Sequence, residues 1–276
     1  MRDRSYQEEL IHLIKRNNAL ITLPTGSGKT HIAARIMQQH YLPQLQAAKA
    51  SKQPAKALVF LAPTNPLVAQ QSAMLRDCYG ISAKAYHGDA AAQSISTWHP
   101  QRWAEELAST DVLVMTPEVL LHVLAHGAAQ MRNIGLLVFD EAHHCSKDHP
   151  YAQVMEDFYH TAELQHRPQV LALTASPLGL RGSTKKRRKG KGGGAAAASL
   201  TAGWDLQQRL AAPLLTVLPE LREDMLACVP FPTNLSAPYD SSPPAWVDNS
   251  AMQRALSRLG DAQEQMMAPA KRVSWC

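Results

Sequence analysis

Leu23-Pro24-Thr25-Gly26-Ser27-Gly28-Lys29-Thr30 constrains this chain more than any other stretch. The apolar run Ala19-Leu20-Ile21-Thr22-Leu23 leading into it reads as a short buried strand. His31-Ile32-Ala33-Ala34-Arg35-Ile36-Met37, which follows it, reads as a helix. A strand, a Gly-containing turn, Gly-Lys-Thr and a helix make a phosphate cradle. Gly26 and Gly28 let the backbone turn tightly, so that successive N–H groups over Thr25, Gly26, Ser27, Gly28, Lys29 and Thr30 can face phosphate oxygens. The positive end of the helix dipole faces the same anion. Lys29 adds a full charge near the β- and γ-phosphates, and the Thr30 hydroxyl can ligate Mg²⁺. The strict pattern asks for Gly five residues before Gly28, where this chain has Leu23, so the match is to the relaxed form.

A second apolar strand, Leu136-Leu137-Val138-Phe139, ends in the adjacent carboxylates Asp140-Glu141. A nucleotide hydrolase needs an acid there. Asp140 can hold Mg²⁺ opposite Thr30, and Glu141 is placed to orient or deprotonate the attacking water. Glu141 and Lys29 are therefore the candidate catalytic residues, with a nucleotide and Mg²⁺ as the ligands they would serve. His143-His144-Cys145 lies beside them, but no further ligand pair stands at zinc-site spacing, so a Mg²⁺–nucleotide site is favoured over zinc.

The first 180 residues alternate near-continuous apolar runs with helical patterns. Strand candidates are 58–61, 83–86, 112–115, 136–139 and 170–173. Helix candidates are 6–15, 67–78, 98–108, 118–125 and 151–164. Such alternation implies an α/β fold, a doubly wound and mostly parallel sheet with helices on both faces. Ligands bind at the carboxyl ends of strands in such a sheet, and the motifs above fall at such ends.

Seven basic groups and no acids lie in residues 181–191; without them the net charge of +5 becomes −2. That run, with Gly192-Gly193-Gly194 and Ala195 to Ala198, is too polar and Gly-rich to bury a core. It reads as a linker over 181–203, serving as a nuclear localisation signal, a nucleic-acid tether or a solubilising insert. Residues 204–276 carry helical patterns at 206–221 and 251–267 among Pro/Ser-rich stretches, and their fold stays open. No run approaches the ~20 apolar residues of a membrane span. The first residues lack a secretory core, and four cysteines show no paired spacing. Nucleus or cytoplasm, without secretion, is the expectation.

The motifs together resemble the first RecA-like lobe of a superfamily 2 helicase, and most closely the helicase region of Dicer-like proteins and RNA-sensor helicases. Arg4-Ser5-Tyr6-Gln7 stands where that family places its adenine-reading glutamine. Leu23 to Thr30 is similar to motif I, Ala62 to Gln71 to motif Ia and Met115 to Leu121 to motif Ib. Asp140-Glu141-Ala142-His143-His144 is similar to motif II, and Leu173-Thr174-Ala175-Ser176-Pro177 to motif III. Ser146 to Tyr151 looks particularly Dicer-like. Ala142, often Cys in Dicer-like chains, brings motif II closer to DNA-acting relatives of the fork-remodelling type. The resemblance covers residues 4–180 and implies a helicase ATP-binding domain over 1–180.

It also implies roles. Gln7 would read the adenine edge. Thr174 and Ser176 would couple nucleotide state to nucleic acid through His143. Thr64, Asn65, Gln71 and Thr116 would contact the phosphates and ribose of one strand, and His87-Gly88-Asp89 resembles a superfamily turn. The implied partners are double-stranded RNA and a second RecA-like lobe, in trans or in a longer gene product. That second lobe would carry the arginine fingers, worth ~10³–10⁵ in turnover in related NTPases. The expected function is an ATP-hydrolysing RNA helicase or translocase lobe. Two alternatives stand beside it: an ATP- and nucleic-acid-binding module with negligible turnover alone, and a DNA translocase lobe of the fork-remodelling type.

Overall fold

The computed structural model of the chain describes residues 3–86, 99–146, 148–175 and 203–228. Helix α1 (Ser5–Ile14) leads into strand β1 (Ala19–Thr22), and α2 (Lys29–Ile36) follows the glycine turn. A π turn at Met37–Tyr41 carries α2 into α3 (Leu42–Ala50). Next come β2 (Ala57–Leu61), α4 (Asn65–Tyr79), β3 (Ala83–Tyr86) and α5 (Pro100–Ser109). Then follow β4 (Val112–Met115), α6 (Pro117–Ala125), β5 (Ile134–Phe139) and α7 (Pro150–Gln153), the last continued by a π turn at Val154–Tyr159. β6 (Gln169–Thr174), α8 (residues 203–210), β7 (Leu214–Leu215) and α9 (Arg222–Cys228) complete the described elements.

All seven strands lie in one parallel sheet, in the order β3-β4-β2-β5-β6-β1-β7. The fold is thus the α/β arrangement that the alternating pattern implies. Strand side chains alternate between two cores. One face carries Leu20, Val59, Leu61, Leu113, Met115, Leu137 and Phe139 against α5, α6, α7 and α8. The other carries Ile21, Phe60, Val114, Val138 and Leu171 against α1 to α4. Because both faces are covered, β2, β4 and β6 are buried along their whole length, which is why they read as continuous apolar runs.

The helical pattern over 206–221 resolves differently. α8 ends at residue 210, Ala211 is left-handed (φ 47°), and Pro213 cannot donate to a helix. The chain then runs beside β1: the Pro213 carbonyl accepts from Leu20 N–H at 2.8 Å, and Leu214 and Leu215 pair with Leu20 and Ile21. Leu206, Leu210 and Ala212 enter the first core, and Val217 and Met225 the second. Among the described residues, no helix is long and apolar enough to cross a membrane. Ser176, His87-Gly88-Asp89, the basic run 181–191 and the helical pattern at 251–267 lie outside the described residues.

Candidate functional site

The phosphate loop hangs from the carboxyl end of β1. Gly26 (φ 82°) and Gly28 (φ 84°) both adopt the left-handed conformation that costs other residues about 1–2 kcal/mol. A Cβ on Gly28 would also sit 2.5 Å from Gln7 Nε2. Ser27 closes the loop on itself, its hydroxyl donating to the Pro24 carbonyl at 2.7 Å. Leu23, at the position the strict pattern gives to Gly, is 1% exposed and belongs to the core. Thr25 and Gly26 are exposed, and Thr30 is half-buried in the first turn of α2. Lys29 Nζ donates to the carbonyls of Leu23 (3.1 Å) and Pro24 (3.3 Å). Burial pushes its pKa below the usual lysine value, while Glu141 and Asp140 oppose that shift.

Helix α1 braces the loop from below. Tyr6, fully buried, donates its hydroxyl to the Ser27 carbonyl at 2.7 Å, and Gln7 Nε2 donates to the same oxygen at 3.0 Å. Gln7 Oε1 accepts from the Arg4 backbone N–H at 3.0 Å. Both ends of the Gln7 amide are therefore engaged inside the lobe.

Two strands away in the sheet, β5 delivers Asp140 and Glu141. Glu141 is left-handed (φ 47°, ψ 49°), which for a non-Gly residue stores strain where the chain leaves the strand. Its N–H donates to Asp140 Oδ1 at 3.0 Å. Asp140 is 6% exposed, and burial together with the neighbouring Glu141 charge pushes its pKa up to about 6. The hard oxygens of Thr30 and Asp140 suit Mg²⁺, and a buried carboxylate driven toward protonation is one that a divalent cation would relieve.

His143 Nδ1 lies 3.2 Å from Glu141 Oε2 and 3.2 Å from Thr174 Oγ1. Three of the sequence candidates thus converge across the ends of β5 and β6. Burial, and secondarily the adjacent His144, lower the His143 pKa, which favours the neutral ring. Among the nucleic-acid candidates, Thr64 and Asn65 are exposed at the start of α4. Thr116 is buried at the start of α6, at the end of the strand that pairs with β2. Gln71 stands apart from them. It is 6% exposed, and its Nε2 donates to Asp140 Oδ2 at 2.8 Å, so its amide faces the acidic site rather than an external strand.

Two tyrosines that stand inside the motif stretches have contacts that no local pattern reveals. Tyr6 supports the loop as described. Tyr151, fully buried, directs its hydroxyl at the carbonyls of Asp140 (2.9 Å) and Leu61 (3.2 Å), joining the ends of β5 and β2. Its ring meets Phe139 edge-on at 5.0 Å.

A phosphate loop on β1 with paired carboxylates on β5 of one parallel sheet defines a RecA-like nucleotide-binding lobe. The DEAD/DEAH box helicase family matches residues 4–179, and the chain belongs to that family. The chain is 29% identical to Endoribonuclease Dicer homolog 1 of Arabidopsis thaliana over 272 residues, covering 99% of this chain and 13% of that protein. It is 37% identical to Dicer-like protein 1 of Neosartorya fischeri over 179 residues, covering 65% of this chain and 11% of that protein. The chain thus spans about an eighth or less of the length of these relatives. Among solved structures, the Pyrococcus furiosus Hef helicase domain superposes with a TM-score of 0.51 at 26% identity, covering 80% of this chain and 39% of that one.

Proposed function

We propose that this chain is the ATP-binding lobe of a Dicer-like RNA helicase, coupling ATP hydrolysis to binding of, or movement along, duplex RNA. The observation that supports it best is the run Glu141–His143–Thr174, both contacts at 3.2 Å. It joins the carboxylate that would face the attacking water to the end of β6. A plain phosphate-binding site has no need of that connection. The duplex-RNA reading leans on the likeness to Dicer homologues.

In this reading Lys29 leaves the Leu23 and Pro24 carbonyls to meet phosphate oxygens, while the loop N–H groups hold the nucleotide. Thr30 and Asp140 would hold Mg²⁺, which would supply charge neutralisation at the phosphates when bound. Glu141 orients a water and accepts its proton as the water oxygen attacks the γ-phosphorus; the bond from that phosphorus to the β–γ bridging oxygen breaks, and ADP leaves with that oxygen. His143, neutral, passes the position of Glu141 to Thr174. Thr64, Asn65 and Thr116 hold the backbone of one nucleic-acid strand at the ends of β2 and β4, which positions the lobe without reading bases. Gln7 is already bonded at both ends, so an adenine edge would have to meet its remaining Oε1 lone pair or Nε2 hydrogen. A second RecA-like lobe would supply the arginine cations.

The test is ATP turnover by the purified chain with no nucleic acid, with long duplex RNA and with duplex DNA of equal length. Stimulation by RNA alone supports the proposal. Stimulation by DNA alone overturns it in favour of a DNA translocase lobe. ATP binding without turnover under all three conditions reduces the chain to a binding module that depends on its partner lobe.

A further inference from the structure

The side-chain carboxylate of Asp140 accepts two hydrogen bonds, from Glu141 N–H on Oδ1 and from Gln71 Nε2 on Oδ2. The first comes with the strand itself. The second arrives from α4, 69 positions away in the chain. Three features mark this contact as more than packing. Gln71 is almost fully buried, in a helix whose other inward residues include the apolar Val68 and Leu75. A leucine there would satisfy a core better, because a buried amide costs free energy for every group left unpaired. Gln71 bears that cost: its Oε1 is buried and, among the described residues, has no hydrogen-bond partner. Among the described residues only the Nε2 end of the amide is used, and that end holds Asp140. The donor also sets the lone pair Oδ2 can offer, because an oxygen that accepts from Gln71 must turn its remaining lone pairs elsewhere.

We infer that Gln71 is a positioning residue for the metal-holding carboxylate: it fixes the rotamer of Asp140 and so the direction in which its free lone pairs face Mg²⁺. The inference rests on the nucleotide-site reading given above. It moves Gln71 from a nucleic-acid contact to the interior of the site and gives α4 a second task. The same helix begins at Asn65, about 9 Å along its axis from Gln71 at 1.5 Å per residue. A shift of α4 when a nucleic-acid strand docks at Thr64 and Asn65 therefore reaches Asp140 through one side chain.

The experiment measures the affinity of the full chain for a fluorescent ATP analogue, once in EDTA and once across a Mg²⁺ titration. It compares wild type with Gln71→Met, an unbranched apolar stand-in of similar length, and with Gln71→Leu. Losing a partner of a metal-holding carboxylate costs on the order of tenfold or more in metal affinity. Both variants should therefore need about tenfold more Mg²⁺ for half-maximal binding while keeping wild-type affinity in EDTA. A purely structural role would lower both affinities together, and that result overturns the inference. So does an unchanged Mg²⁺ midpoint in either folded variant. Failure of the underlying site reading looks different: wild-type binding would ignore Mg²⁺, or Lys29→Ala would still bind nucleotide.

Discussion

Gly28→Ala is the sharpest test of how the phosphate loop is built. The substitution meets two separate penalties. The residue sits at φ 84°, where an added Cβ costs about 1–2 kcal/mol. That Cβ would also stand 2.5 Å from Gln7 Nε2, so the amide must leave the Ser27 carbonyl it now meets at 3.0 Å. A buried hydrogen bond of this kind is worth about 0.5–1.5 kcal/mol. The two add to about 1.5–3.5 kcal/mol, which in a domain of this size lowers the Tm by roughly 3–14 °C. Urea unfolding of four proteins, wild type, Gly28→Ala, Gln7→Ala and the double variant, separates the penalties. In the Gln7→Ala background the collision is gone, so Gly28→Ala should cost only the backbone share, about 1–2 kcal/mol. Equal costs in the two backgrounds would refute the collision with Gln7 as a separate penalty. A cost near zero in both would refute the loop geometry itself.

Three further outcomes follow from the same site. Lys29→Ala should abolish binding of fluorescent ATP while leaving the Tm near wild type, since its present partners are two carbonyls at the end of β1. Glu141→Gln should keep nucleotide affinity and lose single-turnover hydrolysis by about a hundredfold or more, the usual scale for a general base; full hydrolysis would assign the base elsewhere. Asp140→Asn reads out the raised carboxylate pKa. The folded chain holds this proton up to about pH 6, whereas an unfolded aspartate titrates near 3.8, so this group's contribution to stability declines as pH rises from about 4 to 6. The Asn variant should lack that decline and be about 1–3 kcal/mol more stable than wild type at pH 7. Gln71 can turn its unpaired Oε1 toward the new amide. Urea midpoints of both proteins at pH 4.5 and pH 7 decide it, and parallel profiles would refute the assignment.

The sheet was largely legible because its strands are buried on both faces. The runs at 83–86 and 112–115 appear as strands with those same limits. β5 begins two residues before the expected strand, since Gly135 interrupts the apolar run that marks it. α3 left no sequence signal because only Leu42 and Leu45 of its nine residues are buried, too few to make a stripe. β7 was invisible as a strand: it is two residues long, and a helical rhythm continues through it. In the site, the phosphate loop and the paired carboxylates are local motifs, and short spacing reveals them. Gln71 and Tyr151 are different, because their partners lie 69 and 11 positions away. A glutamine in a polar helix reads as exposed until the fold shows which strand end it faces. Tyr151 belongs to a motif extension in the sequence, and in the fold it joins two strand ends.

The pairing of Leu214–Leu215 with β1 bears on how this lobe can be handled at the bench. A version cut at residue 180, where the helicase motifs finish, would leave the strand that carries the phosphate loop as a bare rim. Leu20 would lose the Pro213 carbonyl, and Leu20 and Ile21 would offer unpaired backbone to any passing strand. Such rims template aggregation. A shortened version meant to stay monodisperse should retain residues 203–228, even though they contain none of the helicase motifs.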